Sequence, residues 1–441
     1  MRIIFACLSA LTIASSARAD LQQLIDRASP GETIDVSAGV HAGPLKIDKP
    51  LKLIGHGGAV IDGGGAGDVV IIAAPDVTIR GMHIRGSGDS LDHESTGIRV
   101  LAPRAWIEQN VLEDVLFGID LKVAPDCVIR ENRITSKPLD IARQGDPLRL
   151  WRSNNCLVEA NVIEHGRDAL LWYSDHITIR KNISRHNRYG FHMMYANDVT
   201  LEDNELSGNS VGIYLMYGQR FAIARNRITS NRGPSGYGIG MKEVDAYRIA
   251  DNVISGNRVG IYIDGSPYTR GKSLAELRNN TLACNDVGIS MLPAVKGNRI
   301  WDNNFTDNVE QVAVLGRGAL DGNAFAVDGR GNFWSDYAGY DGDRDGIGDV
   351  AYRSTQLFES LIDREPKLRL LLFSPSHDAI EFIGRAIPAV RPQPKLTDPS
   401  PIVYPVESRV AAASPRSPWP MRGVALAMLT AAGLVLAWAK A

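Results

Sequence analysis

One phrase recurs along most of this chain: an apolar residue, two variable residues, asparagine, a variable residue, then isoleucine or leucine. It appears as Leu201-Glu-Asp-Asn204-Glu-Leu, Ile223-Ala-Arg-Asn226-Arg-Ile and Ile249-Ala-Asp-Asn252-Val-Ile, and with serine in the last place as Ile179-Arg-Lys-Asn182-Ile-Ser. The asparagine falls at 110, 132, 161, 182, 204, 226, 252, 280 and 303, so successive gaps are 22, 29, 21, 22, 22, 26, 28 and 23. A companion asparagine follows five residues later at 187, 209, 231, 257, 285 and 308, and a Gly-Ile pair recurs at Gly97, Gly118, Gly212, Gly238, Gly260 and Gly288. Self-similarity at a period near 22 marks a stack of small units that must bury their apolar faces against one another.

Within each unit apolar residues alternate over short runs, as in His176-Ile-Thr-Ile-Arg, and this is strand spacing, not helix spacing. Gly and Asn mark the corners because both tolerate positive φ, and stacked asparagine amides can bond up and down a column. Three short strands per repeat describe one coil of an all-β, right-handed parallel β-helix. A leucine-rich horseshoe would need dense leucines and helical segments, and a propeller blade about twice the period. The solenoid is expected over residues 20–335, with Leu21 to Ala28 as a helical cap on its first coil.

The termini carry different signals. Arg2, the apolar run Ile3 to Ile13 and the ending Ala17-Arg18-Ala19 have the order of a cleavable secretory signal over residues 1–19, which predicts export and an oxidising compartment. Past the solenoid come an Asp-rich loop at 336–353, helical spacing at 354–390 that suits either a second cap or a docking element, and a Pro- and Ser-rich linker at 391–420. Residues 421–440 contain a short apolar run, Val424 to Ala439, flanked by Arg422 and Lys440. It suits a tilted or locally thinned membrane insertion, a helix docked on a membrane partner, or a helix packed on its own domain. The net charge of −2 and the lack of a basic stripe exclude a nucleic-acid role.

Stacking assigns faces. The columns Leu148, Ala169, Phe191, Ile213, Ile239, Ile261 and Leu150, Leu171, Met193, Leu215, Met241, Ile263 are apolar throughout and should point inward. The intervening, outward columns are not simply polar: one runs Arg149, Leu170, His192, Tyr214, Gly240, Tyr262, and the next Trp151, Trp172, Met194, Met216, Lys242, Asp264. Beside them lie Arg152, Tyr173, Tyr195, Tyr217 and Glu243. Trp151, Trp172, Tyr173, Tyr195, Tyr214 and Tyr217 therefore form a candidate partner surface, unless the insertion from Arg232 to Tyr237 folds over it. His192 and Met194 share a strand face, and Met216 should stack beside Met194. One imidazole and two thioethers make a soft donor set suited to Cu(I), and also an adaptable protein contact.

Cys127 and Cys156 each stand five residues before a ladder asparagine, which places them in one inward column of adjacent coils, either as a disulfide or as neighbouring thiols. Asp341, Asp343, Asp345, the carbonyl at Ile347 and Asp349 have the spacing of the front of a calcium loop. Its twelfth position is Tyr352, so the bidentate ligand is missing and a self-bonded aspartate turn is the competing reading. Many β-helices act on acidic polysaccharides, but here the outward acids Asp120, Asp168, Asp175, Glu243 and Asp264 form no clear stacked pair, and no phosphate loop, nucleophile elbow or zinc cluster is present. The residues are therefore read as carrying no catalytic site of their own, with a carbohydrate-binding or carbohydrate-active β-helix as the alternative.

Six segments resemble the NosD family: PGETIDVSAGVHAGPLKIDKPLKLIG (30–55), RDALLWYSDHITIRKN (167–182), YGFHMMYANDVTLEDN (189–204), GIYLMYGQ (212–219), GYGIGMKEVDAY (236–247) and NFWSDYAGYDGDRDGIGDVAYR (332–353). The resemblance implies a periplasmic β-helix that works with a membrane permease and a cytoplasmic ATPase in maturing nitrous oxide reductase and its copper-sulfide centre. It also implies copper binding and contact with a client or a copper-carrying chaperone. The apolar C-terminal run stands outside that pattern.

Overall fold

The computed structural model describes residues 20–269, 274–316 and 318–410, and within them the chain winds as an all-β parallel β-solenoid of about 12 turns with about 23 residues per coil. Three parallel sheets of 12, 13 and 12 strands form its walls. The two expected inward columns are sealed: Leu148, Phe191, Ile213, Met193, Leu215 and Met241 all have no accessible surface. Register follows the repeat, with Phe191 opposite Ile213 and Leu201 opposite Ile223.

The asparagines supply the second ordering force. Each ladder Asn accepts at Oδ1 from both the backbone N–H and the side-chain amide of the preceding one, as Asn204 does from Asn182 and Asn226 from Asn204, all within 2.9–3.0 Å. Buried amides that would otherwise cost a desolvation penalty are thus paired. In the companion column from Asn187 to Asn308 each Oδ1 again accepts the preceding backbone N–H, and the side-chain amides of Asn231, Asn257 and Asn285 donate to the next asparagine as well. The Gly-Ile phrase has a steric origin. A Cβ at Gly212 would lie 2.6 Å from the Gly238 carbonyl oxygen, and one at Gly260 would lie 2.5 Å from that of Gly288. Only glycine permits this approach of successive coils.

Both ends of the described solenoid are closed. Helix α1 (Leu21–Arg27), N-capped by the Asp20 carboxylate, buries Leu21 and Ile25 on the first coil. At the far end the last ladder residue, Asn332, gives its backbone N–H to Asp398, 66 residues downstream, at 2.7 Å; Trp334 Nε1 donates to the same oxygen at 2.9 Å. Asp398 has no accessible surface, and it belongs to Thr397–Asp398, which pairs antiparallel with Tyr352–Arg353.

This corrects the first part of the expected linker over 391–420, of which residues 411–420 lie outside the described residues. Leu396 and Ile402 are buried, and Lys395 is 4 % exposed between Glu310 at 2.6 Å and Glu359 at 3.1 Å. Apolar anchors and a fitted carboxylate hold the first part of this segment on the solenoid despite its prolines. Helix α2 (Leu357–Arg364) packs on the last coil and meets this strap through Glu359 and Lys395, and helix α3 (Pro375–Ala386) packs on α2. Phe358 and Ile362 face inward, whereas Phe373 and Phe382 are 82 % and 66 % exposed. The signal sequence (1–19) and the apolar run (424–439) lie outside the described residues.

Candidate functional site

The site lies on the outward face of the third sheet. Tyr189–Met194 and Val211–Met216 run parallel, with His192 opposite Tyr214 and Met194 opposite Met216. One extra residue in 189–192 relative to 168–170 shifts the register, so Asp168 faces Tyr189 while Leu170 faces His192. The shift leaves the Asp168 carboxylate within reach of the imidazole. His192 Nδ1 lies 3.2 Å from Asp168 Oδ2, and its Nε2 lies 3.4 Å from Met216 Sδ. The sequence-predicted trio therefore converges, and Asp168, read from sequence as one of several scattered acids, fixes the ring.

Burial pushes the Asp168 carboxyl up, but hydrogen bonds from His192 and Arg188 and the Arg188 charge outweigh this and hold it below the usual carboxylate range. A carboxylate on Nδ1 leaves the opposite nitrogen of a neutral imidazole to act as a ligand, the arrangement that commonly orients metal-binding histidines. His192 is 6 % exposed, whereas Met194 and Met216 are half-buried, so the soft donors point from a sheltered floor toward the surface. Tyr189 packs edge-on to His192 at 4.9 Å and Tyr214 stacks on it at 5.8 Å.

The expected partner surface separates into two groups. Tyr214 belongs with His192 and approaches Tyr237, the residue at which the 232–237 insertion rejoins the sheet, at 6.4 Å. Tyr173, Tyr195 and Tyr217 form an open ladder along a corner, with ring centroids 5.0 and 5.1 Å apart. All three have φ between 50° and 56°, a left-handed corner shared with Arg152 and Glu243. Trp172 stacks on Tyr173 at 5.8 Å, Arg152 lies over Trp151 at 5.2 Å, and Lys242 sits over Tyr217 at 5.8 Å, so cations bracket the aromatic row.

Two other predicted sites resolve differently. Cys127 and Cys156 occupy one buried column as expected, but as unbonded neighbouring thiols and not as a disulfide; each is seated on backbone carbonyls of its own turn. In the aspartate loop, carboxylate oxygens of Asp341, Asp343 and Asp345 come within 4.8 Å of one another. They also accept the loop's own N–H groups: Asp341 from Gly346 at 2.9 Å, Asp345 from Ile347 at 2.7 Å. Asp349 turns away to the Gly342 N–H, and Tyr352 is buried with its hydroxyl on Asp336.

A family model described as periplasmic copper-binding protein (NosD) matches residues 130–339, the coils that carry this site. A protein of Pseudomonas aeruginosa named probable ABC transporter binding protein NosD is 37 % identical over 394 residues, spanning 86 % of this chain and 89 % of its own. The chain belongs to the NosD family. A second NosD, from Stutzerimonas stutzeri and bearing the same name, is 33 % identical over 380 residues, covering 83 % of this chain and 85 % of its own. Among solved structures, the A-module of a mannuronan C-5 epimerase from Azotobacter vinelandii superposes with a TM-score of 0.55 at 14 % identity, over 68 % of this chain and 91 % of the module, a likeness of fold alone.

Proposed function

We propose that this NosD-family chain is a periplasmic accessory protein of an ABC-type permease and ATPase that serves maturation of nitrous oxide reductase, and that it receives Cu(I) as cargo on His192, Met194 and Met216. The observation that carries this is the His192 ring, fixed on Asp168 through one nitrogen and facing the Met216 sulfur with the other. Such a nitrogen and thioether set fits a soft monovalent ion and disfavours calcium or magnesium. The family description as copper-binding and the relatives' names as ABC transporter binding proteins support the same reading. In this scheme the protein supplies no reaction of its own: it holds cargo and presents it, with the reductase or a copper chaperone engaging the aromatic row at Trp151, Trp172, Tyr173, Tyr195 and Tyr217. The exposed apolar side chains of the C-terminal helices face the permease.

Anaerobic Cu(I) titration of wild type against Met194→Leu/Met216→Leu tests the assignment. The double variant should lose one equivalent of tight Cu(I) while keeping its melting temperature, because both side chains are only half-buried. Unchanged stoichiometry removes it.

One observation favours a second, carbohydrate-active reading. Burial, then the charge of Asp168, push the Asp146 carboxyl up to about 7 while Asp168 is held below the usual carboxylate range, a split between two carboxyls of the kind that general acid and base catalysis uses. Against it, Asp146 and Asp168 are 8 % and 2 % exposed. Turnover of uronate oligomers by purified protein, abolished by Asp146→Asn, would favour the enzyme.

A further inference from the structure

His165 and His186 stand one coil apart at another corner of the solenoid. Their rings are stacked with centroids 5.2 Å apart and an interplanar angle of 13°. Both residues are held in the left-handed region, with φ of 55° and 59°, a conformation imposed on this corner by the coil. Both side chains are exposed, and neither ring has a hydrogen bond to a described residue. Other histidines of the chain do find protein oxygens, as His56 finds Asp35 and His83 finds Glu113. The nearest acid cannot serve these two, because Glu164 is 3 % exposed and already bound by Arg133 and Arg185.

The next position in the column is Gly208, where a Cβ would stand 3.1 Å from His186 Nδ1, so the absent side chain makes room for the ring. His186 and Gly208 also line a cavity of about 430 Å³ that continues to Arg188 and Tyr189. Two imidazoles without protein partners, one above the other and facing solvent, are a ready bidentate set. With metal–nitrogen bonds of about 2.0–2.1 Å, one ion can bridge nitrogens up to about 4 Å apart. In the stacked arrangement the ring lone pairs lie in near-parallel planes, so chelation requires the rings to turn about their broad terminal torsions, for which both exposed side chains leave room.

We propose that His165 and His186 form a second metal site, distinct from the thioether cluster, for a hydrated divalent transition ion that prefers imidazole nitrogen, with Cu(II) first in the order of affinity and Zn(II) competing for the same site. Its lack of sulfur donors separates it chemically from the Cu(I) assignment, on which it does not depend.

The test is titration of the full chain with Cu(II), read by electron paramagnetic resonance and by equilibrium stoichiometry. His165→Asn and His186→Asn are the informative variants, since asparagine accepts positive φ and preserves the corner. Wild type should show a signal split by two nitrogens, displaced by excess Zn(II). Either substitution should weaken that equivalent by an order of magnitude or more, while Met194→Leu/Met216→Leu leaves it in place. Gly208→Ala, which keeps both imidazoles but crowds His186, should weaken it as well. Equal binding in wild type and both asparagine variants, or dependence on only one of the two histidines, overturns the proposal.

Discussion

The outward face of the third sheet is built in two ways along one column of strands. In the earlier coils Arg99 joins Asp68 at 2.6 Å and Asp120 at 2.7 Å, while Arg149 joins Asp120 at 2.8 Å and Glu94 at 2.8 Å. Asp120 has no accessible surface and both arginines are 8 % exposed. In the following coils the same column presents Leu170, His192 and Tyr214, flanked by Met194 and Met216. The first stretch is saturated, with every charge answered by a neighbour. The second has donors left over: only one His192 nitrogen meets a carboxylate, and the other faces a sulfur. The same solenoid wall thus yields a closed structural seam and a receptive patch; apart from the register shift beside Asp168, side-chain satisfaction is what separates them.

The contrast breaks most forcefully at Arg149. Arg149→Ala leaves Asp120 and Glu94 short of a partner and should cost about 3–5 kcal/mol in chemical unfolding, without altering Cu(I) stoichiometry. A smaller effect is expected at the seam between the two stretches. Because the Asp146 carboxyl is raised to about 7 against 3.8, the folded state holds its proton more tightly, so wild type loses stability as pH rises from about 4 to about 7 and no further above that. Asp146→Asn lacks this loss; it should match wild type near pH 4 and exceed it by on the order of 1–3 kcal/mol at pH 8, read from melting curves across that range.

Asp168→Asn should weaken Cu(I) binding about 10- to 100-fold by freeing the ring that carries Nε2, which competition with a colorimetric chelator measures. Tyr195→Ala, at the centre of the open ladder, should lower stability by only about 1 kcal/mol while reducing capture of the partner reductase or permease complex, separating recognition from folding. The least change is expected at the aspartate loop, whose carboxylates already hold backbone N–H groups: saturating calcium should leave the melting temperature almost unmoved. A rise of several degrees that Asp343→Asn abolishes would establish a calcium site there.

Most of the fold was legible because a solenoid writes its contacts at a fixed interval. Asn182 meets Asn204 and Met194 meets Met216 for the same reason, that one coil separates them. The trio His192, Met194 and Met216 was legible on that basis. Asp168 was not singled out, because its contact with His192 spans 24 residues and runs diagonally through a register shift that no repeat predicts. The strap around Asp398 was hidden for a related reason: it has no counterpart elsewhere in the chain, and its Pro-rich composition resembles a tether. The thiol state of Cys127 and Cys156 could not be read at all, since proximity in a column fixes the separation of two sulfurs but not whether they bond.

The end of the asparagine ladder has a consequence for growth. A column of amides is polar in sense and could in principle be extended indefinitely, one molecule feeding the next as in a fibril. Asp398 occupies the slot that the following amide would take and offers only acceptors, so the series halts there. The protein's length is in effect punctuated by a single carboxylate, and loss of that stop would expose a template for end-to-end association.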